Sequence, residues 1–309
     1  YLYTKLTRDI KGIFHLQGSG DPDLGETDYE KIIKEIKDRH LFRNIFQNSK
    51  IPTIYIYEED RNLWWPSGWH KADRLENYGA PITRFAVESN TNYKSIHQPL
   101  LTIINKLYDI SSIYKFNINI KPQNTLYYRK NIFNKEIFRI RSAPMSSLLS
   151  LSNSESHNYT AEVLLRSASK NWNNKKALEE LALWLRNNDV PLNKFDFEDG
   201  SGLSRGNKVT SNGLSYLLHK MKSHRYFVNY ISSMSVLGVR GTLAYFPADY
   251  SLKGRFFGKS GTLTGVRAIS GYLREKDKLR VLSILTNNVE DADSKISYIL
   301  TLIDKNSCN

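Results

Sequence analysis

Three observations in this sequence predict an α+β fold. A first stretch of about 140 residues is rich in strand-like runs, helical periodicity takes over from Pro144, and a strand pair with one further amphipathic helix closes the chain. Near the start, His15 to Leu24 holds Gly18, Gly20, Asp21 and Pro22 and reads as a turn-rich segment. Thr27 and Glu30 follow at capping-box spacing and predict a helix, whose apolar face is Tyr29, Ile32, Ile33 and Ile36. Thr53 to Tyr57 is β-branched and aromatic and predicts a strand, whereas Arg61 to Pro81, rich in Trp, Gly and Pro, predicts a loop. Phe116, Ile118 and Ile120 alternate with polar residues, and Thr125 to Tyr128 and Glu136 to Ile140 give two more strand-like runs. Past Pro144, Ala161, Leu164, Leu165 and Ala168 form one helical stripe. Leu178, Leu181, Ala182 and Leu185 form another, which stops at Asn187, Asn188 and Pro191. Thr262 to Leu273 and Lys278 to Thr286 predict two strands joined by a charged turn at Glu275 to Asp277. Ile296, Ile299, Leu300 and Ile303 then predict the inner face of a last helix.

Composition narrows the class of protein. With 309 residues and 40% hydrophobic side chains the chain can bury a core, which excludes global disorder. Its longest apolar runs, such as Val281 to Leu285, fall far short of the roughly 20 residues that span a bilayer, so no transmembrane segment is expected and only peripheral membrane contact is left open. Cys308 is the single cysteine, which excludes an intrachain disulfide and a thiolate metal cluster. The seven histidines, His219 and His224 among them, lack metal-ligand spacing, and no metal or cofactor is expected. Lys+Arg 44 against Asp+Glu 31 gives a net charge of +13, and 19 tyrosines accompany it. The basic residues are scattered, however, and no RNP, zinc-finger or helix-turn-helix pattern is present, so nucleic acid is not the expected partner. The local excess at Arg129, Lys130, Lys135, Arg139 and Arg141 against Glu136 reads as a solvated face or as an attraction to any polyanion.

Three segments carry chemistry. Ser156-His157-Asn158 stands before the helix that contains Ala161 and Glu162. A hydroxyl that relays a proton and an amide that both donates and accepts suit recognition of a peptide bond, although Ser and Asn at a helix entry also serve as N-caps. Asp199-Gly200-Ser201-Gly202-Leu203-Ser204-Arg205-Gly206-Asn207 specifies a tight loop, and neither serine stands beside a histidine. Lys259-Ser260-Gly261, followed by Thr262, joins an ammonium, two hydroxyls and a residue without a β-carbon. Such a sheet edge can accept a carboxylate close to the backbone, and the same residues also make common surface turns.

In this order, Ser-x-Asn with Ala-Glu after it, Asp-Gly-Ser-Gly-Leu-Ser-Arg-x-Asn, and Lys-Ser-Gly-Thr-Leu-x-Gly-Val-Arg-Ala closely resemble the class C low-molecular-mass penicillin-binding proteins. These are D-alanyl-D-alanine carboxypeptidase/endopeptidases. The likeness extends to Gly18-Ser19-Gly20-Asp21-Pro22, Gly68-Trp69 and Tyr78-Gly79-Ala80-Pro81, which are similar to that family's inserted domain; Ser260 stands where threonine is usual.

The resemblance implies a penicilloyl serine transferase (β-lactamase/transpeptidase-like) core, assigned to residues 1–14 and 141–309, with a mixed β-rich domain inserted at 15–140. It further implies a periplasmic or otherwise extracytoplasmic bacterial enzyme, with peptidoglycan stem peptides and β-lactams as partners and no cofactor. Its catalytic residues would be Ser156, Asn158 and Lys259, and its substrate-binding residues Ser260, Gly261 and Thr262. In that family a nucleophilic Ser-x-x-Lys precedes the Gly-Asp-Pro segment. Ser112 to Lys115 and Ser167 to Lys170 match the tetrapeptide but stand in the wrong order, so the chain is expected to be a member without its nucleophile segment. Loss of that segment predicts an apolar groove beside Ser156 and Lys259, along Ala161 to Ala168 and Thr262 to Leu273. A noncatalytic cell-wall-binding relative and a basic polyanion-binding module are the alternative readings.

Overall fold

The structure, a computed structural model, describes residues 1–44, 51–128, 134–276 and 278–306. Cys308, Asp277 of the charged turn, and Arg129 and Lys130 of the basic cluster lie outside the described residues. The chain divides into two compact units, Tyr1–Ala143 with Glu162–Asn174, and Pro144–Ala161 with Lys175–Asn309.

The first unit contains β1 (Tyr3–Arg8), β2 (Phe14–Gln17), α1 (Glu26–Asn44), β3 (Thr53–Glu58), α2 (Pro99–Ile113), β4 (Asn119–Asn124) and β5 (Lys135–Arg141). The strands form one sheet in the order β4-β3-β2-β1-β5, parallel across β2-β3-β4 and antiparallel around β1. Strand alternation sends Leu6, Phe14, Leu16, Ile54 and Ile56 to one face, where they pack with Tyr29, Ile32, Ile33 and Ile36 of α1 and Ile103, Leu107 and Ile110 of α2. The α1 stripe is therefore the one its periodicity predicts, but the helix begins at Glu26, ahead of the expected Thr27 cap. Gly25 N–H instead donates to the Asp28 carboxylate, and Gly25 C=O accepts from Asp28 and Tyr29. Thr125–Tyr127 is a 3-10 turn and not a strand, because the Asn124 side chain caps it by accepting from Leu126 N–H.

Residues 1–14 pair inside this sheet. Tyr3–Arg8 lies between β2 and β5, with Lys5 opposite both Gln17 and Arg139, so the first strand groups with residues 15–143 and not with the C-terminal core expected for it. The Trp- and Pro-rich loop is organised by Arg166, which is fully buried and donates to the carbonyls of Leu63 and Ile82 while lying over the Trp172 ring.

The second unit is built from α3 (Met145–Asn153), the start of α4 (Asn158–Ala168), α5 (Asn174–Asn187), β6 (Phe195–Asp196), β7 (Lys208–Val209), α6 (Ser211–Met221), α7 (Phe227–Ser232), β8 (Ser235–Val236), β9 (Phe256–Leu263), β10 (Val266–Glu275), β11 (Lys278–Asn287) and α8 (Ala292–Asn306). Strands β11-β10-β9-β8 form an antiparallel sheet. Phe256, Ile269 and Leu273 meet Ile296 and Leu300 of α8 on one face, and Tyr272 meets Leu218 of α6 and Met234 on the other. The predicted strand Thr262–Leu273 is thus two strands: a turn at Thr264-Gly265, with Gly265 at φ 75°, splits it and puts Lys259-Ser260-Gly261 inside β9. Of the predicted α8 face, Ile299 is 40% exposed and lies outside the core.

No helix among the described residues is long and apolar enough to cross a membrane. Along β10, one of the two places where an apolar groove is expected, Ile269, Tyr272 and Leu273 are fully buried. A cleft lies between α3 and α7, lined by Ser146, Ser147, Ser150, Ser232 and Ser233 with Val228 and Asn229. Strand β11 carries the partly buried apolar side chains Leu279, Val281, Leu282 and Ile284.

Candidate active site

Ser156 occupies the short connection between α3 and α4. Helix α3 stops as Ser154 N–H reaches back to Ser150 C=O, and Ser156 then adopts φ 60°, a left-handed backbone that costs a non-glycine residue energy and turns the chain sharply into α4. The first turn of α4 is tied by His157, whose Nδ1 pairs with Thr160 Oγ1 at 2.7 Å and whose carbonyl accepts from Ala161 N–H. Asn158 is the first helical residue and is half-buried. With that turn held by His157, the Ser156 hydroxyl is left to make another contact.

Lys259 supplies it. Although 103 positions separate the two residues, Lys259 Nζ donates to Ser156 Oγ at 2.7 Å and to Ser260 C=O at 2.6 Å. Strand β9 carries Lys259 opposite Ser270 of β10. On its other side β8 pairs only through Ser235-Gly258 and Val236-Phe257, so past Gly258 no described strand pairs with that edge. Burial lowers the Lys259 pKa from 10.5 to about 8, because a desolvated ammonium is penalised relative to the neutral amine. A lysine that gives up its proton near neutrality, hydrogen-bonded to a hydroxyl, is a pair able to move a proton.

Ser260 is fixed from a direction the sequence did not reveal. Its hydroxyl donates to Thr242 Oγ1 at 2.7 Å, Thr242 Oγ1 lies 3.1 Å from Ser235 Oγ, and Ser235 donates to Ser154 C=O at 2.9 Å. Thr242 N–H donates to the same carbonyl at 2.9 Å. Beside it, Gly241 at φ 67° packs so close to Ser154 that a β-carbon would come within 2.2 Å of the Ser154 hydroxyl. One loop therefore ties the Ser156 connection to β9. The signal for it is a repeat, since Gly-Thr-Leu occurs at 241–243 and again at 261–263.

Gly261 has open space over it: an added β-carbon would meet only Ala268 Cβ, at 3.4 Å. Thr262 is exposed, opposite Arg267. The Asp199 loop closes on itself, with the Asp199 carboxylate accepting from Gly202 N–H, Ser204 N–H and Asn207 Nδ2 at 2.7, 2.6 and 2.8 Å. Ser204 is buried and its hydroxyl donates to Glu198, so this motif sets loop shape. Of the two Ser-x-x-Lys matches, Ser112 sits at the end of α2 and donates to Tyr108 C=O, and Ser167 lies in α4; both belong to the first unit.

An ammonium and a hydroxyl joined beside an antiparallel sheet, with no described strand pairing β9 past Gly258 on that side, are the arrangement expected of the serine-acyltransferase class of α+β protein. Comparison with known proteins carries this to a family. The sequence profile of the D-Ala-D-Ala carboxypeptidase 3 (S13) family matches residues 126–299, more than half of the chain, and the chain belongs to that family. A D-alanyl-D-alanine carboxypeptidase of Actinomadura sp. (strain R39) is 37% identical over 94 residues; the match covers 29% of this chain and 18% of that protein's length. Among solved structures, penicillin binding protein 4 (dacB) from Haemophilus influenzae superposes with a TM-score of 0.75 at 15% identity, covering 93% of this chain and 80% of that one. Bd3459, a predatory peptidoglycan endopeptidase from Bdellovibrio bacteriovorus, superposes with a TM-score of 0.57 at 15% identity, covering 99% of this chain and 80% of that one. The fold is that of these penicillin-binding proteins.

Proposed function

We propose that the site belongs to a serine-type D-Ala-D-Ala carboxypeptidase/endopeptidase that acts on peptidoglycan stem peptides outside the cytoplasm and is acylated by β-lactams. The observation that carries this reading is the 2.7 Å contact between Lys259 Nζ and Ser156 Oγ, which brings together two side chains that can then face one reacting bond.

In the reaction, a serine hydroxyl adds to the carbonyl between the two D-alanines, the C–N bond breaks, and an ester to the enzyme forms while D-alanine leaves as an amine. That amine needs a proton. Ser156 passes it on from the nucleophile's side, and Lys259, lowered towards neutrality, holds the relay in register. Asn158 holds the substrate amide, and Ser260 and Thr262 with the Lys259 charge bind the terminal carboxylate over the open Gly261. The Thr262 N–H stabilises the oxyanion. Water then hydrolyses the ester.

Ser156 and Ser204 have no lysine three residues on, and the Ser-x-x-Lys matches at Ser112 and Ser167 stand in the wrong order along the chain, so none of the four is the expected nucleophile. The test is release of D-alanine from a pentapeptide stem, together with fluorescent-penicillin labelling, by the full-length gene product. Ser156→Ala and Lys259→Ala should each lower D-alanine release by about 10²-fold or more. Release and labelling untouched by both substitutions would overturn the reading.

A further inference from the structure

The basic cluster of the sequence has a place in the fold that the peptidase site does not use. One face of the first unit's sheet is the core described above; the other carries polar and aromatic side chains. The register sets Tyr3 opposite Arg141, Lys5 opposite Arg139 and Gln17, and Tyr55 opposite Lys121. Arg139, Arg141 and Lys121 are exposed, and Lys5, Gln17 and Tyr55 are half-buried.

At one end of this face the cations are held in position. The Arg139 guanidinium lies over the Tyr3 ring at 5.0 Å and the Arg141 guanidinium over the Tyr1 ring at 4.7 Å. Glu136 pairs with Arg139 and reaches Lys5 at 3.8 Å, and Arg141 is a third cation at this end, so the one carboxylate leaves a surplus of two positive charges. Lys121 stands on the opposite edge strand, four inter-strand steps of about 4.8 Å away, or about 19 Å. Between them lie Gln17 and Tyr55, with His15 opposite Tyr55 and paired with the Asp9 carboxylate at 3.2 Å.

We propose that this face binds a strand of cell-wall glycan. Carboxylates on its peptide branches would meet Arg139 and Arg141 at one end and Lys121 at the other, with uncharged sugar rings crossing Gln17 and Tyr55. The identity of the polymer rests on the peptidoglycan reading above. The charge pattern favours it over nucleic acid, which carries a charge at every nucleotide and would lay several of them across a middle that offers Gln17, Tyr55 and the Asp9–His15 pair in place of free cations.

Cosedimentation of the 309-residue chain with purified sacculi, freed of protein and of secondary wall polymers, tests this across a salt series. Binding is expected, and Arg139→Gln/Arg141→Gln/Lys121→Gln should weaken it about tenfold and flatten its salt dependence, since three exposed charge contacts are removed. These side chains are exposed, and an unchanged melting temperature shows that the variant folds. Lys259→Ala removes at most the peptidase site's own share of binding, and the binding left in that variant should keep the same dependence on Arg139, Arg141 and Lys121. Absence of binding, binding unchanged by the triple substitution, or equal affinity for single-stranded DNA with the same sensitivity would overturn the proposal. Loss of binding only on Lys259→Ala would overturn it while leaving the peptidase reading in place. Sheet-dependent binding to sacculi by a protein whose full-length form never reacts with penicillin would leave this proposal standing and remove the peptidase reading.

Discussion

Replacing Lys259 by Met keeps the length of the side chain and removes its amine, and the structure fixes how the consequence depends on pH. The folded protein holds the Lys259 proton less tightly than the unfolded chain does, with a pKa of about 8 against 10.5. Between those values the unfolded chain binds more protons, so the lysine's contribution to stability rises with pH there: a penalty is fully present below about pH 8 and gone above about 10.5. The full gap corresponds to roughly 3 kcal/mol, and solvent screening of a side chain that is only half-buried reduces the expected amplitude to about 1–2 kcal/mol. Losing the contacts to Ser156 and Ser260 costs Lys259→Met stability at every pH, so the informative quantity is the change in the difference between the two proteins. Urea unfolding followed by circular dichroism from pH 7 to 10.5 measures it. Relative to the parent, Lys259→Met should lose about 1–2 kcal/mol over that interval, and titrations common to both proteins cancel. A difference that is flat in pH, or one that moves the other way, would refute the claim that burial depresses this lysine.

Further outcomes follow from single residues. Gly261→Ala should leave the melting temperature equal or slightly higher, since its β-carbon meets only Ala268 and alanine in a strand gains about 0.5 kcal/mol over glycine, while penicillin labelling of the full-length protein slows at least about tenfold; unchanged labelling would take Gly261 out of the substrate site. Glu58 is fully buried and its carboxyl is raised to about 7 by desolvation, against three backbone N–H donors at Glu59, Arg84 and Phe85. Its folded value lies above its unfolded 4.5, so the first unit should lose stability as pH rises from about 4.5 through 7, and Glu58→Gln should flatten that slope in thermal melts. The 309-residue chain by itself should take no covalent fluorescent penicillin, and a label mapped by mass spectrometry to any of its serines would refute that.

What could be read from the sequence was what repeats at short range. Helix α1 showed itself because Tyr29, Ile32, Ile33 and Ile36 recur at helical spacing between charged residues. Helix α2 did not, because Leu100, Leu101 and Ile104 stand among the inward Ile103, Leu107 and Ile110 and blur the single face, and no side chain caps its start. The β9–β10 boundary was hidden for a different reason: Thr264-Gly265 interrupts an otherwise continuous strand-like pattern, and only the positive φ of Gly265 makes the turn. Residues 1–14 were misplaced because pairing partners are a property of the sheet, and nothing local in Tyr3–Arg8 tells β2 and β5 from the strands of the second unit. At the site, Ser156 and Lys259 were found from their order along the chain, while their 2.7 Å contact depends on a sheet and a helix junction that no spacing encodes.

Thr242 shows why the remaining part was out of reach, and it also bears on the one substitution within the Lys259 motif. A serine at 260 in place of the usual threonine loses the γ-methyl group that limits rotation about χ1, so its hydroxyl would be freer to turn. Here the hydroxyl donates to Thr242 at 2.7 Å, and a hydrogen bond takes over the restraint that a methyl group would otherwise give. The same loop grips Ser154 through Thr242 N–H and through the close approach of Gly241. Ser260 on the strand and Ser156 two residues past Ser154 are thus positioned by one element, which neither motif contains. A change at Gly241 would accordingly move both hydroxyls together: any β-carbon there drives into Ser154 and shifts the connection that holds Ser156, while the Thr242 acceptor of Ser260 shifts with it. The unit that positions this site is therefore the pair of Gly-Thr-Leu segments with the Ser154–Asn158 turn between them, a three-part arrangement assembled only once the sheet has formed.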